Sequence, residues 1–439
     1  MFFRLYTLGC KVNYYETEFL RAGLLRLGYR EVPNDSIADL VVVNTCTVTA
    51  ESDAKSRKVI RRLIKENPGA EVVVMGCSAT RQPDLILQIN GVSQVLTDKQ
   101  QIPLFLSGLS KGQGGELNLT NQKLSGCLSL QGGTKCGEQN SANPLENFRT
   151  KIIVDHIETF GNRHRAFVKV QDGCIVGCSY CIIPKVRPVL KSRPIDEVLT
   201  EINALVQNGY REIVLTGIHL GHYGVDLPDK SNKTPLAELV RNIVQVDERF
   251  RIRLSSLEAV EVSDELIDTM LAYPDRICPH LHLSMQSGSD AVLKRMKRRW
   301  LREPFIERCE TIAKRFDRLA LTTDVIVGFP GETDEDFAAT CDAVERLRFS
   351  KVHIFRFSPR ESTEAAAFMD RVSSTIQKKR AAQLGLIADR LRKEFEAECT
   401  GMPETVLTET EFTGTTSRYL EVRFDKPQQV GTLIGLNVM

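Results

Sequence analysis

The stretch Val170-Gln-Asp-Gly-Cys-Ile-Val-Gly-Cys-Ser-Tyr-Cys181 sets Cys174, Cys178 and Cys181 in a C-x3-C-x2-C spacing directly after an apolar run. Structural zinc is normally closed by four ligands, commonly as two C-x2-C pairs, and no second pair follows here. Three soft thiolates on one tight loop suit three irons of a four-iron cluster and leave the fourth iron open for a ligand. Gly173, Gly177 and Ser179 are the small residues expected for a loop that wraps such a cluster. Tyr180, just before the third cysteine, reads either as a core aromatic or as part of the loop's ligand-binding surface.

Outward from this loop the chain alternates strands and helices. Strands are predicted at 166–170, 212–216, 251–254, 280–284, 321–327 and 351–357, with helices at 194–208, 236–245, 263–272, 290–295 and 334–347. This α/β pattern predicts a partial (β/α)6 barrel over 165–372, whose chemistry belongs at the carboxyl ends of its strands, where the three-cysteine loop also lies. Residues 1–106 alternate in the same way, with strands at 2–7, 39–43 and 71–75 and helices at 16–27 and 50–66, and predict a separate open parallel sheet. Cys10, Cys46 and Cys77 each follow one of those strands, so the sheet's crevice should gather them at one point and hold a second cluster. Each alone would read as strand-end packing. Cys278, Cys309, Cys341 and Cys399 share no such relation and read as ordinary thiols.

Residues 107–164 are rich in Gly, Ser, Gln and Asn and are expected to form a loop or linker, in which Cys127 and Cys136 read as incidental. Residues 373–439 are expected to form an amphipathic helix followed by a small β-rich segment with strands at 404–412, 418–424 and 431–438. The 439 residues carry 58 Lys plus Arg against 56 Asp plus Glu, a formal charge of +2, so any nucleic-acid surface must be local. Two local basic runs stand out: Lys55, Arg57, Lys58, Arg61, Arg62 and Lys65 along one helix, and the run 294–299. The opening Met1-Phe-Phe-Arg-Leu-Tyr-Thr-Leu-Gly-Cys10 lacks a long apolar run and reads as neither signal peptide nor membrane span. The chain is therefore expected in the cytoplasm, where twelve cysteines are thiols and metal ligands rather than disulfides.

The triad with Tyr180 resembles the signature of the radical S-adenosylmethionine enzymes, and the two cysteine sets in this order resemble their methylthiotransferase branch. The resemblance spans nearly the whole chain. It is carried by Thr7-Leu-Gly-Cys-Lys-Val-Asn13, Val43-Asn-Thr-Cys-Thr-Val48, Leu215-Thr-Gly-Ile-His219 and Arg253-Leu-Ser-Ser-Leu-Glu258. It continues through Leu281-His-Leu-Ser-Met-Gln-Ser-Gly-Ser289, Asp324-Val-Ile-Val-Gly-Phe-Pro-Gly-Glu-Thr333 and Phe357-Ser-Pro-Arg360. The C-terminal segment is similar to a shortened TRAM domain, an RNA-binding β-barrel. Lys11-Val12 in the first motif most resembles the enzymes of N6-threonylcarbamoyladenosine at tRNA position 37, where the isopentenyladenosine enzymes tend to carry Gln-Met.

The resemblance implies two [4Fe-4S] clusters, one on Cys10, Cys46 and Cys77 and one on Cys174, Cys178 and Cys181. It implies S-adenosylmethionine beside Tyr180, Gly217, Glu258 and Gln286, although a turn glycine, a solvated carboxylate and a capping neighbour are the plain readings of the last three. It further implies a tRNA substrate, a flavodoxin- or ferredoxin-type electron donor, no membrane and no acid, base or nucleophile triad. Isopentenylated tRNA or a ribosomal protein side chain are the alternative substrates, and a non-catalytic iron-sulfur RNA-binding protein is the non-enzyme alternative. The chain departs from the family's pattern at Pro184-Lys-Val-Arg-Pro-Val-Leu-Lys-Ser-Arg193 and at Arg360-Glu-Ser-Thr363. Lys185 or Arg187 is a candidate partner for the substrate's carboxylate.

Overall fold

The computed structural model describes residues 1–98, 101–111, 154–228, 234–246 and 249–438, except 34 and 162. In the N-terminal unit β1 (Phe2–Thr7), α1 (Lys11–Arg26), β2 (Arg30–Glu31), β3 (Leu40–Thr45), α2 (Ala50–Glu66), β4 (Glu71–Gly76), α3 (Cys77–Arg81), α4 (Pro83–Leu87), β5 (Gln94–Val95) and α5 (Gln101–Lys111) follow in order. The sheet is parallel, in the order β2-β1-β3-β4-β5. All six residues of β3 are buried, as expected for a strand covered on both faces. Helix α2 starts where the Thr49 hydroxyl accepts from Ser52 N at 3.1 Å, with Glu51 and Asp53 in its first turn.

The second unit contains β6 (Arg165–Asp172), α6 (Ile183–Val186), β7 (Lys191–Ser192), α7 (Ile195–Gln207), β8 (Glu212–Gly217), α8 (Pro235–Val244), β9 (Arg251–Leu254), β10 (Ser256–Leu257) and α9 (Asp264–Ala272). It continues with β11 (His280–Leu283), α10 (Asp290–Arg295), α11 (Arg302–Ala313), β12 (Ala320–Val327), α12 (Asp334–Leu347) and β13 (Lys351–Arg356). Two sheets, β7-β6-β8-β9 and β10-β11-β12-β13, are parallel but for β7 and meet at an Ile252–Ile277 bridge, giving the expected open barrel. Strand alternation splits its residues. Val168, Val170, Ile213, Leu215, Ile252, Leu254, Leu281, Leu283, Val325 and Val327 belong to the apolar core. The alternate positions, Lys169, Glu212, Arg253, His280, His282, Asp324 and His353, give the barrel a polar lumen.

Helix α13 (Ser374–Cys399) buries Arg380, Leu384, Ala388, Leu391, Phe395 and Cys399, one stripe at helical spacing. It leads into an antiparallel sheet of β14 (Pro403–Thr408), β15 (Thr413–Thr416), β16 (Glu421–Arg423) and β17 (Leu433–Asn437), ordered β16-β15-β14-β17. This sheet caps the barrel at the end away from the cysteine loop. Arg251 donates to the carbonyls of Thr405 and Thr415, and Arg253 to those of Thr416 and Ser417, while Glu212 lies buried between the two guanidiniums. Of the expected linker, Ser107 to Lys111 continue α5, and Val154, Ile157 and Phe160 are buried. Cys127 and Cys136 lie outside the described residues. Among the described residues no helix is long and apolar enough to cross a membrane.

Candidate active site

Cys10 lies just beyond β1, Cys46 directly after β3 and Cys77 directly after β4, and these three strands are neighbours in the sheet. Their thiols converge. Burial raises the Cys10 thiol, and the charge of Cys77 raises it further; Cys46 is raised by burial and by both Cys77 and Cys10. Gly76, at φ +94°, makes the turn into Cys77 where an added Cβ would meet the Asn44 side chain and the Thr45 backbone.

In the barrel, Cys174, Cys178 and Cys181 lie on the loop after β6. Burial pushes the Cys181 thiol up to about 12, and the charges of Cys178 and Cys174 add to the rise. Gly173, at φ +77°, is required: a Cβ there would fall 1.9 Å from the Val189 carbonyl oxygen. A Cβ added at Gly177 would meet no protein atom within 4 Å. Ser179 anchors the loop, its hydroxyl donating to the Arg295 carbonyl at 2.7 Å.

Three thiolates gathered together repel one another, and a polynuclear cation is what relieves that repulsion, so the donor set of each triad fits an iron-sulfur cluster, with Cys10 at the exposed edge of the first. The surrounding groups fit thiolate ligands as well. Arg187 Nε donates to Cys77 Sγ at 3.4 Å, Arg298 Nη1 to Cys178 Sγ at 3.3 Å, and His219 Nδ1 lies 3.6 Å from Cys174 Sγ. Burial opposes charge on His219, but Cys174 and Glu261, 2.7 Å from its Nε2, outweigh it and lift its pKa to about 9. Glu261, although burial pushes it up, is held down to about 2, first by His219. His222 stacks on His219 with ring centres 3.8 Å apart and is lowered to about 4 by burial and by that neighbour.

Arg187 joins the two triads. Its side chain is 1 % exposed and bonds Glu16 through both Nη1 at 2.8 Å and Nη2 at 2.9 Å, Asp172 at 2.8 Å and Asn13 at 3.0 Å, besides Cys77. Its own carbonyl accepts from Cys174 N at 3.1 Å. The expectation that Arg187 meets the substrate carboxylate is corrected: burial with two carboxylates already occupies it. Lys185 is exposed. Arg360, in the second departing segment, is likewise buried and donates to Thr47 at 2.7 Å and to Asp53. Each of these two segments thus supplies an arginine that ties the N-terminal sheet to the barrel.

The four residues expected around S-adenosylmethionine surround the barrel's upper rim. Tyr180 packs edge-on against Phe329, with its hydroxyl 3.4 Å from Arg298 Nη1. Gly217 ends β8, where a Cβ would stand 2.8 Å from Gln171 Oε1. Gln286 is a buried non-glycine residue at φ +69°, a costly conformation held by backbone bonds to Asp324 and Ile326. Glu258 is buried and bonds Arg298 at 3.2 Å as well as Arg299, so its carboxylate is engaged by arginines rather than solvated. In the basic run at 294–299 four cations are paired, while Lys294, Lys297 and Arg299 remain exposed. Arg295 pairs with Asp370, Lys297 with Glu364, Arg298 with Glu258 and Arg299 with Glu258 and Glu261.

The description "Radical SAM superfamily" matches residues 168–344, and "Uncharacterized protein family UPF0004" matches residues 3–97. The threonylcarbamoyladenosine tRNA methylthiotransferase MtaB of Bacillus subtilis is 36 % identical over 99 % of this chain and 93 % of its own length. The chain belongs to the radical S-adenosylmethionine methylthiotransferase family. A second family member of the same name, from Thermotoga maritima, is 35 % identical over 98 % of this chain and 92 % of its own. The tRNA-2-methylthio-N(6)-dimethylallyladenosine synthase of Corynebacterium urealyticum is 30 % identical over 92 % and 71 %. The cobalamin-binding radical S-adenosylmethionine methyltransferase TsrM of Kitasatospora setae shares the fold, with TM-score 0.56 and 15 % identity over 83 % of this chain and 74 % of its own. His219, Arg187 and Arg298 were missed as thiol partners. Only His219 had a signal, its place in the motif ending Gly-Ile-His.

Proposed function

We propose that this methylthiotransferase inserts sulfur and a methyl group at C2 of N6-threonylcarbamoyladenosine at position 37 of tRNA, in the cytoplasm, with electrons from a flavodoxin- or ferredoxin-type donor. The carrying observation is the pairing of two three-cysteine sets through Arg187. Lys11-Val12 and the identities of 36 % to the threonylcarbamoyl enzyme against 30 % to the dimethylallyl one support the choice of base. In this reading Cys10, Cys46 and Cys77 hold one [4Fe-4S] cluster and Cys174, Cys178 and Cys181 the other. Tyr180, Gly217 and Gln286 contact S-adenosylmethionine, and Glu258 acts through the arginines it holds. When bound, these groups supply a 5′-deoxyadenosyl radical and the sulfur and methyl group that C2 receives.

The chain's own residues orient and insulate. His219, Arg298 and Arg187 donate toward the thiolates, and Ile182 and Val186, packed with Cys77, keep water from the junction. The division of labour assigns 1–106 to the auxiliary cluster, 165–372 to S-adenosylmethionine and 373–439 to RNA, with 107–164 connecting the first two. Purified, anaerobically reconstituted enzyme given S-adenosylmethionine and reductant should convert threonylcarbamoylated tRNA to its 2-methylthio form and leave isopentenylated tRNA untouched, read by nucleoside mass spectrometry. Equal turnover of isopentenylated tRNA would refute the choice of base.

A further inference from the structure

Asp324 stands apart from the other carboxylates of the barrel's polar interior. Glu212 pairs with Arg165, Arg251 and Arg253, Asp172 with Lys169 and Arg187, and Glu258 with Arg298 and Arg299. Asp324, on the lumen side of β12, meets no lysine or arginine at ion-pair distance among the described residues. Its ion-pair contact is with His282 Nε2, 3.3 Å from Oδ2, and that contact is itself incomplete. The nitrogen is buried, and the carboxylate lies outside hydrogen-bonding geometry, so Nε2 has no bonded partner. His353 completes the group. It stands on β13 directly opposite Asp324 in the parallel register, with its ring centre 5.8 Å from that of His282. One ligand atom from each of His282, Asp324 and His353 lies within 4.8 Å of the other two. Three neighbouring strands, β11, β12 and β13, thus bring two imidazoles and a carboxylate to one place in the lumen.

Two imidazoles and one carboxylate are the donor set of open zinc and ferrous sites, which keep coordination positions free for water or another oxygen ligand. Ligand atoms on one zinc stand roughly 3 to 3.5 Å apart. His282 and Asp324 already have that spacing. His353 has only to swing inward, and among the described residues no hydrogen bond holds its ring. The outer support of the site is present as well. Thr322 Oγ1 lies 3.0 Å from His282 Nδ1 and 3.1 Å from His280 Nε2. A hydroxyl both accepts and donates, so Thr322 can accept from Nδ1 and donate to His280, which leaves the Nε2 lone pair facing the carboxylate. Such a bond on the far nitrogen fixes a metal-bound imidazole in place. A buried nitrogen without a bond and a carboxylate without a cation are both costly, and a single divalent cation between them satisfies both.

We propose that His282, Asp324 and His353 form a divalent-cation site of the zinc class in the barrel lumen, separate from both cysteine triads. The site does not depend on the choice of base made above.

The test is the zinc content of the anaerobically reconstituted holoenzyme after equilibration with zinc and removal of the free ion, with iron measured in the same sample. Zinc is the fair probe, because nitrogen and oxygen donors bind it more tightly than they bind ferrous iron. The wild type should retain one zinc per chain beyond what His353→Gln and Asp324→Asn retain, at unchanged iron. X-ray absorption at the zinc edge should show nitrogen and oxygen neighbours, imidazole among them, and no sulfur. Thr322→Val should weaken zinc binding by about ten- to a hundredfold, as loss of an outer partner does, with the three ligands left in place. Equal zinc in the wild type and both ligand variants overturns the site, and so does zinc surrounded by sulfur, which would place it on cysteines. If a variant fails to fold, the wild type decides alone: no retained zinc, or a sulfur shell around it, refutes the proposal.

Discussion

Arg187 places one planar guanidinium against two carboxylates, an amide and a thiol, a geometry that a lysine's single charge does not reproduce. Glu16, 3 % exposed, would lose both of its Arg187 contacts if Arg187 were removed, while Lys169 stays at 3.3 Å. Arg187→Met should therefore destabilise the apoprotein by about 3 to 5 kcal/mol, because a buried carboxylate loses its main partner. Arg187→Met with Glu16→Gln should cost less than the sum of the two single changes, measured by denaturant unfolding. Simple additivity would show that the pair does not couple. The cysteines were legible because strand ends in parallel sheets converge by rule. The partners of Arg187 were not, since Glu16 and Asn13 lie 171 and 174 residues away and no local pattern reports such a contact.

Among the elements, the two basic runs look equivalent as sequence and are not. Lys55, Lys58, Arg61 and Lys65 stand exposed along α2, whereas around α10 Arg295, Lys297, Arg298 and Arg299 each pair with a carboxylate and Lys294 stays exposed. Neutralising Lys58, Arg61 and Lys65 should weaken tRNA binding and flatten its log-log salt slope by up to roughly 2 to 3 units, since each phosphate contact releases counterions. An unchanged slope would make α2 an ordinary solvated face. The six barrel strands were legible from alternation, but α11 was not: Pro304 reads as a breaker although it stands in the first turn, where its missing N–H costs little. Strand β15, Thr-Gly-Thr-Thr, carries no apolar pattern. It is buried because Arg251 and Arg253 bond its carbonyls, a partnership visible only in the fold.

At the scale of the molecule, two α/β units meet at the carboxyl ends of their strands, held by Arg187 and Arg360, while the C-terminal sheet closes the barrel's other end. The alternation of elements made both units legible. Their mutual orientation was not, because it depends on two buried arginines whose partners lie far away in the sequence. The proposed function gives the two units one cluster each, with separate duties. The most direct measurement is iron content together with S-adenosylmethionine cleavage in two triple variants. Cys174, Cys178 and Cys181 changed to alanine should retain about half the iron and form no 5′-deoxyadenosine, as two equal thiolate-held cubanes require. Cys10, Cys46 and Cys77 changed to alanine should also retain about half, still form 5′-deoxyadenosine, and yield no 2-methylthio nucleoside. Loss of all iron from a folded form of either variant would contradict the two-cluster arrangement.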